Sequence, residues 1–188
     1  LWRQNLRRLS AEQLRDALLA VSGSLNEKAG GPPSWPTLPP EVLQANPAFL
    51  DDNELKVKGW YPSPALEQRV RSVYMIQKKT VRVPFMETFD LPENSMSCAL
   101  RRESTVAPQA LSLLNSPLSV EAAGAFAKRV ELEAGTVPIA QINKAYQLAF
   151  QRLPDKDESE TCLGLLQKRN LKELCRALLN VNEFIYVD

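Results

Sequence analysis

The placement of proline constrains the fold of this chain more than any other feature of its sequence. Proline fixes φ and lacks a backbone N–H, so a segment that contains many prolines forms neither a long helix nor a central strand. We therefore predict that residues 24–70 form a long loop on the surface. Its aromatic residues indicate that the loop packs against the rest of the protein, because disordered segments rarely contain so many large apolar side chains. The defining sequence elements are Gly30-Gly31-Pro32-Pro33, Trp35-Pro36, Pro39-Pro40, Pro47 and Pro62-Ser63-Pro64.

Elsewhere in the chain, proline and capping residues mark the starts of helices. The segment Ser10-Ala11-Glu12-Gln13 has the form of a capping box and predicts a helix that ends at Gly23. Proline is favoured in the first turn of a helix, where its missing N–H takes no bond away from the helix. The other predicted helices begin at or near Pro84, Pro108, Pro117, Pro138, Asp155 and Leu171.

These elements predict a mainly α-helical protein with a multi-helix assembly in its C-terminal half. Residues 1–23 are predicted to be helical, and residues 101–188 to form the assembly. Residues 71–100 are predicted to hold short strands and turns, with at most one or two short strands in the N-terminal half. The 188 residues are predicted to form a single domain that is the C-terminal portion of a larger multi-domain protein.

The segment from Arg71 to Val81 is the best strand candidate in the chain. It is rich in β-branched and aromatic residues, which favour a pleated and half-buried surface. A helix is the alternative for this segment.

The chain contains no histidine. Without imidazole it cannot form a Ser-His or Cys-His nucleophile pair, a histidine-ligated metal centre or a Cys-x-x-Cys-His haem attachment. It also lacks the glycine-rich loops that cradle phosphates. The sequence therefore predicts no catalytic residue, no metal ligand and no cofactor bound by these residues.

Carboxylates and cysteines remain as candidates for chemistry. Asp90, Glu93 and Asn94 supply oxygen ligands of the kind that calcium prefers, but they match no EF-hand spacing. A turn capped by side chains is the interpretation that we favour. Cys162 and Cys175 lie symmetrically about a predicted helix–helix turn, each on the apolar stripe of its helix. They either pair as a disulfide or remain free thiols in the core.

Three aromatic residues of the proline-rich loop are candidates for ligand binding. Trp35, Trp60 and Tyr61 lie next to prolines that restrict the backbone around them. Such rings either stack on the sugars of a polysaccharide or pack on the core of the domain, and their solvent exposure decides between these alternatives.

Basic side chains and one tyrosine form a second set of binding candidates. An anion-binding patch would require that distant segments fold together, and a solvated edge is the interpretation that we prefer. Arg3, Arg7 and Arg8 are likewise interpreted as a solvated face, because no stacking aromatics alternate with them. The residues of this second set are Arg69, Arg71, Tyr74, Lys78, Lys79, Arg101 and Arg102.

Three stretches of the sequence together resemble a known family. The first runs from Arg71-Ser72-Val73-Tyr74 through Lys78-Lys79 to Phe89-Asp90-Leu91-Pro92. The second, residues 104–116, reads Ser-Thr-Val-Ala-Pro-Gln-Ala-Leu-Ser-Leu-Leu-Asn-Ser, and the third, residues 177–188, reads Ala-Leu-Leu-Asn-Val-Asn-Glu-Phe-Ile-Tyr-Val-Asp. With Ala20-Val21-Ser22-Gly23 and Gly30-Gly31-Pro32 upstream, they resemble the C-terminal portion of the planctomycete cytochrome-associated domain of unknown function 1553, the PSD-one type.

The resemblance implies a setting rather than an activity. Such proteins are typically large and exported, and a c-type cytochrome module precedes this domain, which implies an extracytoplasmic location and a haem in upstream domains. The family has no established active site, so no catalytic residue carries over.

We therefore expect a non-catalytic structural or interaction domain whose partners are neighbouring domains of the same protein. A carbohydrate-binding module, or part of a polysaccharide-acting enzyme, is the alternative. We expect no nucleic-acid partner, because the formal net charge is only +1. We also expect no transmembrane segment, because no uncharged apolar stretch is long enough to span a bilayer.

Overall fold

A computed structural model shows a mainly α-helical protein, which confirms the predicted fold class. It describes residues 6–45, 59–79, 81–93, 97–101 and 103–187. The strands are β1 (Arg7–Arg8) and β2 (Tyr186–Val187). The helices are α1 (Ala11–Val21), α2 (Pro40–Gln44), α3 (Pro84–Thr88), α4 (Ala107–Asn115), α5 (Pro117–Ala134), α6 (Pro138–Phe150), α7 (Lys156–Lys168), α8 (Leu171–Leu178) and α9 (Asn182–Ile185).

Helix α1 begins and ends where its sequence predicts. The Ser10 hydroxyl accepts a bond from the Gln13 backbone N–H at 3.3 Å, and the Gln13 side chain accepts one from the Ser10 N–H at 3.0 Å. Both bonds of the capping box are therefore present. At the other end, Gly23 takes a φ of +71°, the left-handed conformation in which glycine meets no steric penalty.

Gly23 and Gly164 are expected to respond to alanine with opposite signs. At Gly23 the added Cβ would lie 3.2 Å from Cδ of Arg129 on a left-handed backbone, and we expect Gly23→Ala to lower the free energy of unfolding by about 1–2 kcal/mol. Gly164 lies within α7 with nothing within 4 Å of the added atom, so Gly164→Ala should raise it by about 0.5–1 kcal/mol. Urea denaturation measures the free energy of unfolding of both variants. Changes of the same sign in the two variants would contradict this interpretation.

Helix α5 lies at the centre of the helical assembly, where it contacts α1, α4, α6 and α8. Phe126 and Val130 of α5 are fully buried and share one core with Leu14 and Leu18 of α1. Pro117 begins α5 and Pro138 begins α6, as predicted. Burying a large apolar side chain stabilises a fold by about 1.5–3 kcal/mol, so this core is the main source of stability.

The two cysteines of α7 and α8 are buried free thiols. Sγ of Cys162 lies 3.8 Å from the hydroxyl of Tyr146. Burial raises the pKa of Cys175 to about 12, so this thiol is protonated at neutral pH. The structure thus follows the core alternative for these cysteines rather than the disulfide.

Arg152 lies in the short segment between α6 and α7 and binds carboxylates of α7 and α9. Its guanidinium makes paired hydrogen bonds of 2.7 Å to both carboxylate oxygens of Glu158, and further bonds of 2.6 and 2.7 Å to Glu183. The same group lies 5.4 Å from the ring centroid of Tyr146. The hydrogen bonds from Arg152 hold the pKa of Glu158 at about 2, below its ordinary value of 4.5. This ion pair makes the fold sensitive to acid.

Arg152→Met should remove part of that acid sensitivity. A carboxylate with a lowered folded-state pKa contributes its full stability above pH 4.5 and loses it as the pH falls to about 2. We expect the variant to be about 1 kcal/mol less stable than wild type at pH 7, because the pair is partly exposed. The difference should shrink toward pH 2, whereas Arg69→Met at an exposed site should change little at any pH. A difference that is the same at every pH would contradict the role given to Arg152.

Strands β1 and β2 pair antiparallel at the two ends of the described chain, with Arg7 opposite Val187 and Arg8 opposite Tyr186. The prediction that residues 1–23 are helical is therefore wrong for residues 7 and 8. Strand β2 lies in the C-terminal half, where only helices were predicted. Two-residue strands carry no periodic pattern, and each of these depends on a partner from the other end of the chain.

The strand predicted from Arg71 to Val81 is wrong. The chain forms a 3₁₀ turn at Ser72–Tyr74. The Asp16 carboxylate of α1 accepts the Ser72 backbone N–H at 2.8 Å, which removes that donor from any ladder. Among the described residues of this segment, sheet pairing is limited to an isolated bridge between Ser34 and Met75.

The described parts of the proline-rich loop are docked on the protein. Leu38 and Trp60 are buried together with Val81 in a second, smaller core. Residues 46–58 lie outside the described residues.

Candidate functional site where the chain termini meet

Arg8 of β1 is buried, although its neighbour Arg7 is exposed. Successive strand residues point to opposite faces, so β1 directs Arg8 into the protein. Its guanidinium donates to Asp90 Oδ2 at 2.7 Å, to the backbone oxygen of Phe89 at 3.4 Å and to that of Ser104. A charged side chain that is only 4% exposed requires such acceptors. The prediction that Arg8 lies on a solvated face is wrong.

Asp90 joins Arg8 to the segment before α4. Its carboxylate accepts the Ser104 backbone N–H at 2.8 Å and the Ser104 hydroxyl at 2.8 Å. Burial raises the pKa of Asp90, but hydrogen bonds from Ser104 and Arg8 outweigh it and hold the pKa below its usual value. Asp90 has a φ of +60°, a conformation that aspartate accepts more readily than most residues. The contacts of Asp90 are those of a side-chain-capped turn.

Two further contacts connect this ion pair to neighbouring elements. Gln109, in the first turn of α4, donates to the Thr88 backbone oxygen at 3.1 Å and to the Ser104 hydroxyl at 3.3 Å. The hydroxyls of Thr105 and Tyr186 lie 3.2 Å apart and link the same segment to β2. Polar side chains therefore connect α3, the start of α4 and both strands.

We call Arg8, Asp90, Ser104 and Gln109 the terminal clasp. The three stretches that carry the family resemblance all reach it. The first stretch contributes Asp90, the second contributes Ser104 and Gln109, and the third forms β2, which pairs with the strand of Arg8. These contacts pair a buried charge through its two terminal nitrogens and fix a turn, as expected of a structural element.

A pocket of about 190 Å³ lies beside the terminal clasp. Its lining includes the exposed Arg7 and Leu100 and the buried Phe89, and it reaches the N-terminal end of α1. Arg101 also lines it and pairs with Glu12 at 2.8 Å. Burial raises the pKa of Glu12, but the hydrogen bond from Arg101 helps to hold it below its usual value. The pocket thus combines apolar walls with guanidinium groups.

Leu100 lines this pocket, and further exposed apolar side chains lie on neighbouring segments of the chain. Leu100 is 85% exposed and Leu6, next to Arg7 in the chain, is 64% exposed. Val187 pairs with Arg7 across the strand ladder, and Val106 is the N-cap residue of α4. We call Leu6, Leu100, Val106 and Val187 the terminal patch.

The aromatic candidates of the loop lie elsewhere. Trp60 is 7% exposed, donates its indole N–H to the Pro36 backbone oxygen at 2.7 Å and lies 5.1 Å from Trp35, centroid to centroid. Trp35 and Tyr61 are half-buried. The ammonium group of Lys78 lies 4.8 Å from the centroid of the Trp35 ring. Trp60 thus packs in a core, whereas Trp35 and Tyr61 keep part of their surface exposed.

The basic candidates are divided between different places. Arg101 lines the pocket at the clasp, whereas Lys78 lines a separate cleft beside α3. Tyr74 is half-buried in the 3₁₀ turn, and Arg102 lies outside the described residues. The exposed members are Arg69, Arg71, Lys79 and Arg101.

The two described residues that were considered as calcium ligands bind other partners, in keeping with the favoured interpretation of a capped turn. Asp90 belongs to the clasp, Glu93 pairs with Arg82 at 2.7 Å, and Asn94 lies outside the described residues. Among the residues that the structure describes, no group of three or more acidic or cysteine side chains is placed to hold a metal ion. Nor does any helix formed by these residues combine the length and apolar character needed to cross a membrane.

Fold and site together define a mainly α-helical domain whose two described ends pair through β1 and β2, beside an ion pair that joins β1 to the turn after α3. The chain belongs to the PSD1 family, described as "Protein of unknown function (DUF1553)", whose model matches residues 1–166. This match confirms the family resemblance found in the sequence. No curated protein and no solved structure matched the chain.

Proposed function

We propose that this domain is a non-catalytic docking module that packs against neighbouring domains of an exported, cytochrome-containing protein. The terminal patch is the observation that carries the proposal. A large exposed apolar side chain at the edge of a pocket, with further exposed apolar side chains on neighbouring segments, is a feature of surfaces that bind other proteins. Leu100, at 85% exposure beside a pocket, is the most exposed of these side chains.

The proposal also includes that the parent protein is exported and contains a cytochrome domain. It is supported by the sequence stretches that resemble the planctomycete, cytochrome-associated proteins. The chain has no histidine to ligate a haem, so the proposed haem belongs to a preceding domain. The domain described here would then contribute a binding surface rather than a redox group.

The setting is tested first by the sequence that precedes Leu1 in the parent gene. We expect a signal peptide and a Cys-x-x-Cys-His motif upstream in the same reading frame. Their absence from the complete gene would overturn the cytochrome-associated setting.

The docking surface is tested by titrating the ¹⁵N-labelled chain with the upstream domain. Leu100→Asp should weaken binding at least tenfold, because it places a charge in an apolar interface. Leu132→Asp is the matched control, since Leu132 is 87% exposed. It lies near Arg129, which binds the C-terminal end of α1, whereas the patch is at the N-terminal end. Equal effects of the two substitutions, or no binding by wild type, would overturn the proposal.

A further inference from the structure

We propose that α9 and β2 form a strap that opens while the helical core stays folded, and that the docking surface is complete only when this strap is closed. The strap comprises residues 182–187. Its link to docking rests on the proposed function, whereas its opening is a property of the chain alone. The two parts of the proposal are therefore tested separately.

Little buried apolar surface holds the strap in place. Among its residues, all of which the structure describes, Phe184 alone is buried, and Ile185 is half-buried against the same core. By contrast, the neighbouring helix α8 buries four side chains. The resistance of a segment to local opening increases with the apolar area that it buries. The strap should therefore open more readily than the helices of the core.

Polar contacts near the surface hold the rest of the strap. Glu183 binds Arg152 at 2.6 and 2.7 Å through side chains that are 44% and 38% exposed. The Ile185 backbone oxygen accepts the Leu9 N–H at 2.8 Å. Such exposed contacts contribute little free energy each, because water competes for both partners. These contacts position the strap without preventing its opening.

The helical core keeps its own contacts when the strap opens. The main neighbours of the strap are α6 and β1, whereas α5 is held by α1, α4, α6 and α8. Phe126 and Val130 of α5 are fully buried among those helices. Opening of the strap is therefore a local event that exposes much less surface than unfolding of the chain.

The closed strap also supplies part of the docking surface. Val187 belongs to the terminal patch and lies opposite Arg7 in the strand pair. The hydroxyl of Tyr186 lies 3.2 Å from that of Thr105, which precedes Val106 of the patch. Opening therefore removes one patch residue and releases a contact beside another. A partner that covers the patch binds the closed form better and so keeps the strap closed.

Hydrogen exchange of the ¹⁵N-labelled chain measures the opening. The backbone N–H of Leu9 is bonded to Ile185 and that of Tyr186 to Asn182, so both exchange when the strap opens. We call these two groups the strap amides. The N–H of Val130 within α5 reports on the core. After correction for intrinsic rates, the strap amides should exchange about tenfold faster than Val130, or more.

Urea below the unfolding midpoint distinguishes local opening from global unfolding in the wild-type chain. Its effect on exchange increases with the surface that the opening exposes. We expect urea to accelerate exchange at Val130 strongly and at the strap amides only slightly. The same urea dependence at all three positions would show that the strap opens only with the whole chain, and would overturn the proposal.

Substitutions inside and outside the strap give a second test. Glu183→Gln should accelerate both strap amides by the same factor, about threefold, the size of a partly exposed ion pair. Glu173→Gln is the matched control, since Glu173 pairs with Arg176 at similar exposure but outside the strap, and it should leave the strap amides unchanged. Phe126→Ala should accelerate Val130 without accelerating the strap amides. Acceleration of the strap amides by either outside variant would contradict a separate opening.

The link to docking is tested by adding the upstream domain to the same exchange experiment. At about 100 times its Kd, the upstream domain should slow exchange at the strap amides about tenfold or more. If the domain binds and leaves these rates unchanged, the docking proposal stands and the link between strap and docking fails. If it does not bind wild type, the docking proposal itself fails, and the urea dependence still decides whether the strap opens separately.

Discussion

Replacing Arg8 with methionine is expected to lower the free energy of unfolding by about 3 kcal/mol, since this change removes the buried guanidinium of an ion pair whose carboxylate is only partly exposed. Methionine fills much of the same volume, so the loss reports on the charge rather than on a cavity. The substitution leaves the Asp90 carboxylate without its guanidinium and the Phe89 and Ser104 carbonyls without a donor. Urea denaturation monitored by circular dichroism measures the change.

The neighbouring strand residue is the matched control for this prediction. Arg7 is exposed, so Arg7→Met should change stability by no more than about 0.5 kcal/mol. Asp90→Asn completes a double-mutant cycle with Arg8→Met, because asparagine also accepts the left-handed backbone at this position. A coupling energy near zero between the two sites would show that the ion pair does not stabilise the fold.

Phe126→Ala is expected to lower the free energy of unfolding by about 4 kcal/mol, because it leaves a cavity where α5 meets the surrounding helices. Phe126 is fully buried, whereas Leu132 on the same helix is 87% exposed. Leu132→Ala should therefore change stability by about 0.5 kcal/mol or less, and it controls for the altered helix propensity. A loss below about 1 kcal/mol at Phe126 would contradict the central position given to α5.

The helices were predictable because their signals are local. The capping box at Ser10, the first-turn prolines at Pro117 and Pro138, and the aspartate cap at Asp155 each act within one turn of chain. Each of these signals depends on residues within one turn and on no distant contact. Sequence patterns over a few residues were therefore sufficient to place α1, α5, α6 and α7.

The failed strand prediction shows the opposite case. Residues 71–81 have suitable side chains for a strand, but Asp16 on α1 binds the backbone and hydroxyl of Ser72 at 2.8 and 2.7 Å. Arg15 donates to the Val70 backbone oxygen at 2.9 Å and fixes the preceding residue. A tertiary contact from a distant helix thus overrides local propensity, and no pattern within the segment reveals it.

The candidate site was not predictable for the same reason. Arg8 and Asp90 are 82 residues apart in the sequence, and only the folded chain brings them together. The local sequence favours a side-chain-capped turn at Asp90 but contains no sign of its partners. The exposure of Leu100 is likewise a property of the folded chain, and no local pattern in the sequence reveals it.

Cys98 allows the docking proposal to be tested on the wild-type protein, without any substitution. Its thiol is exposed and lies 3.0 Å from the backbone oxygen of Leu100 in the terminal patch, while Cys162 and Cys175 are buried. The most direct test compares the rate of maleimide labelling at Cys98, quantified by mass spectrometry, in the chain alone and in the complete parent protein. We predict slower labelling in the parent protein, because the neighbouring domain covers the patch. Equal rates in the two proteins would contradict the account.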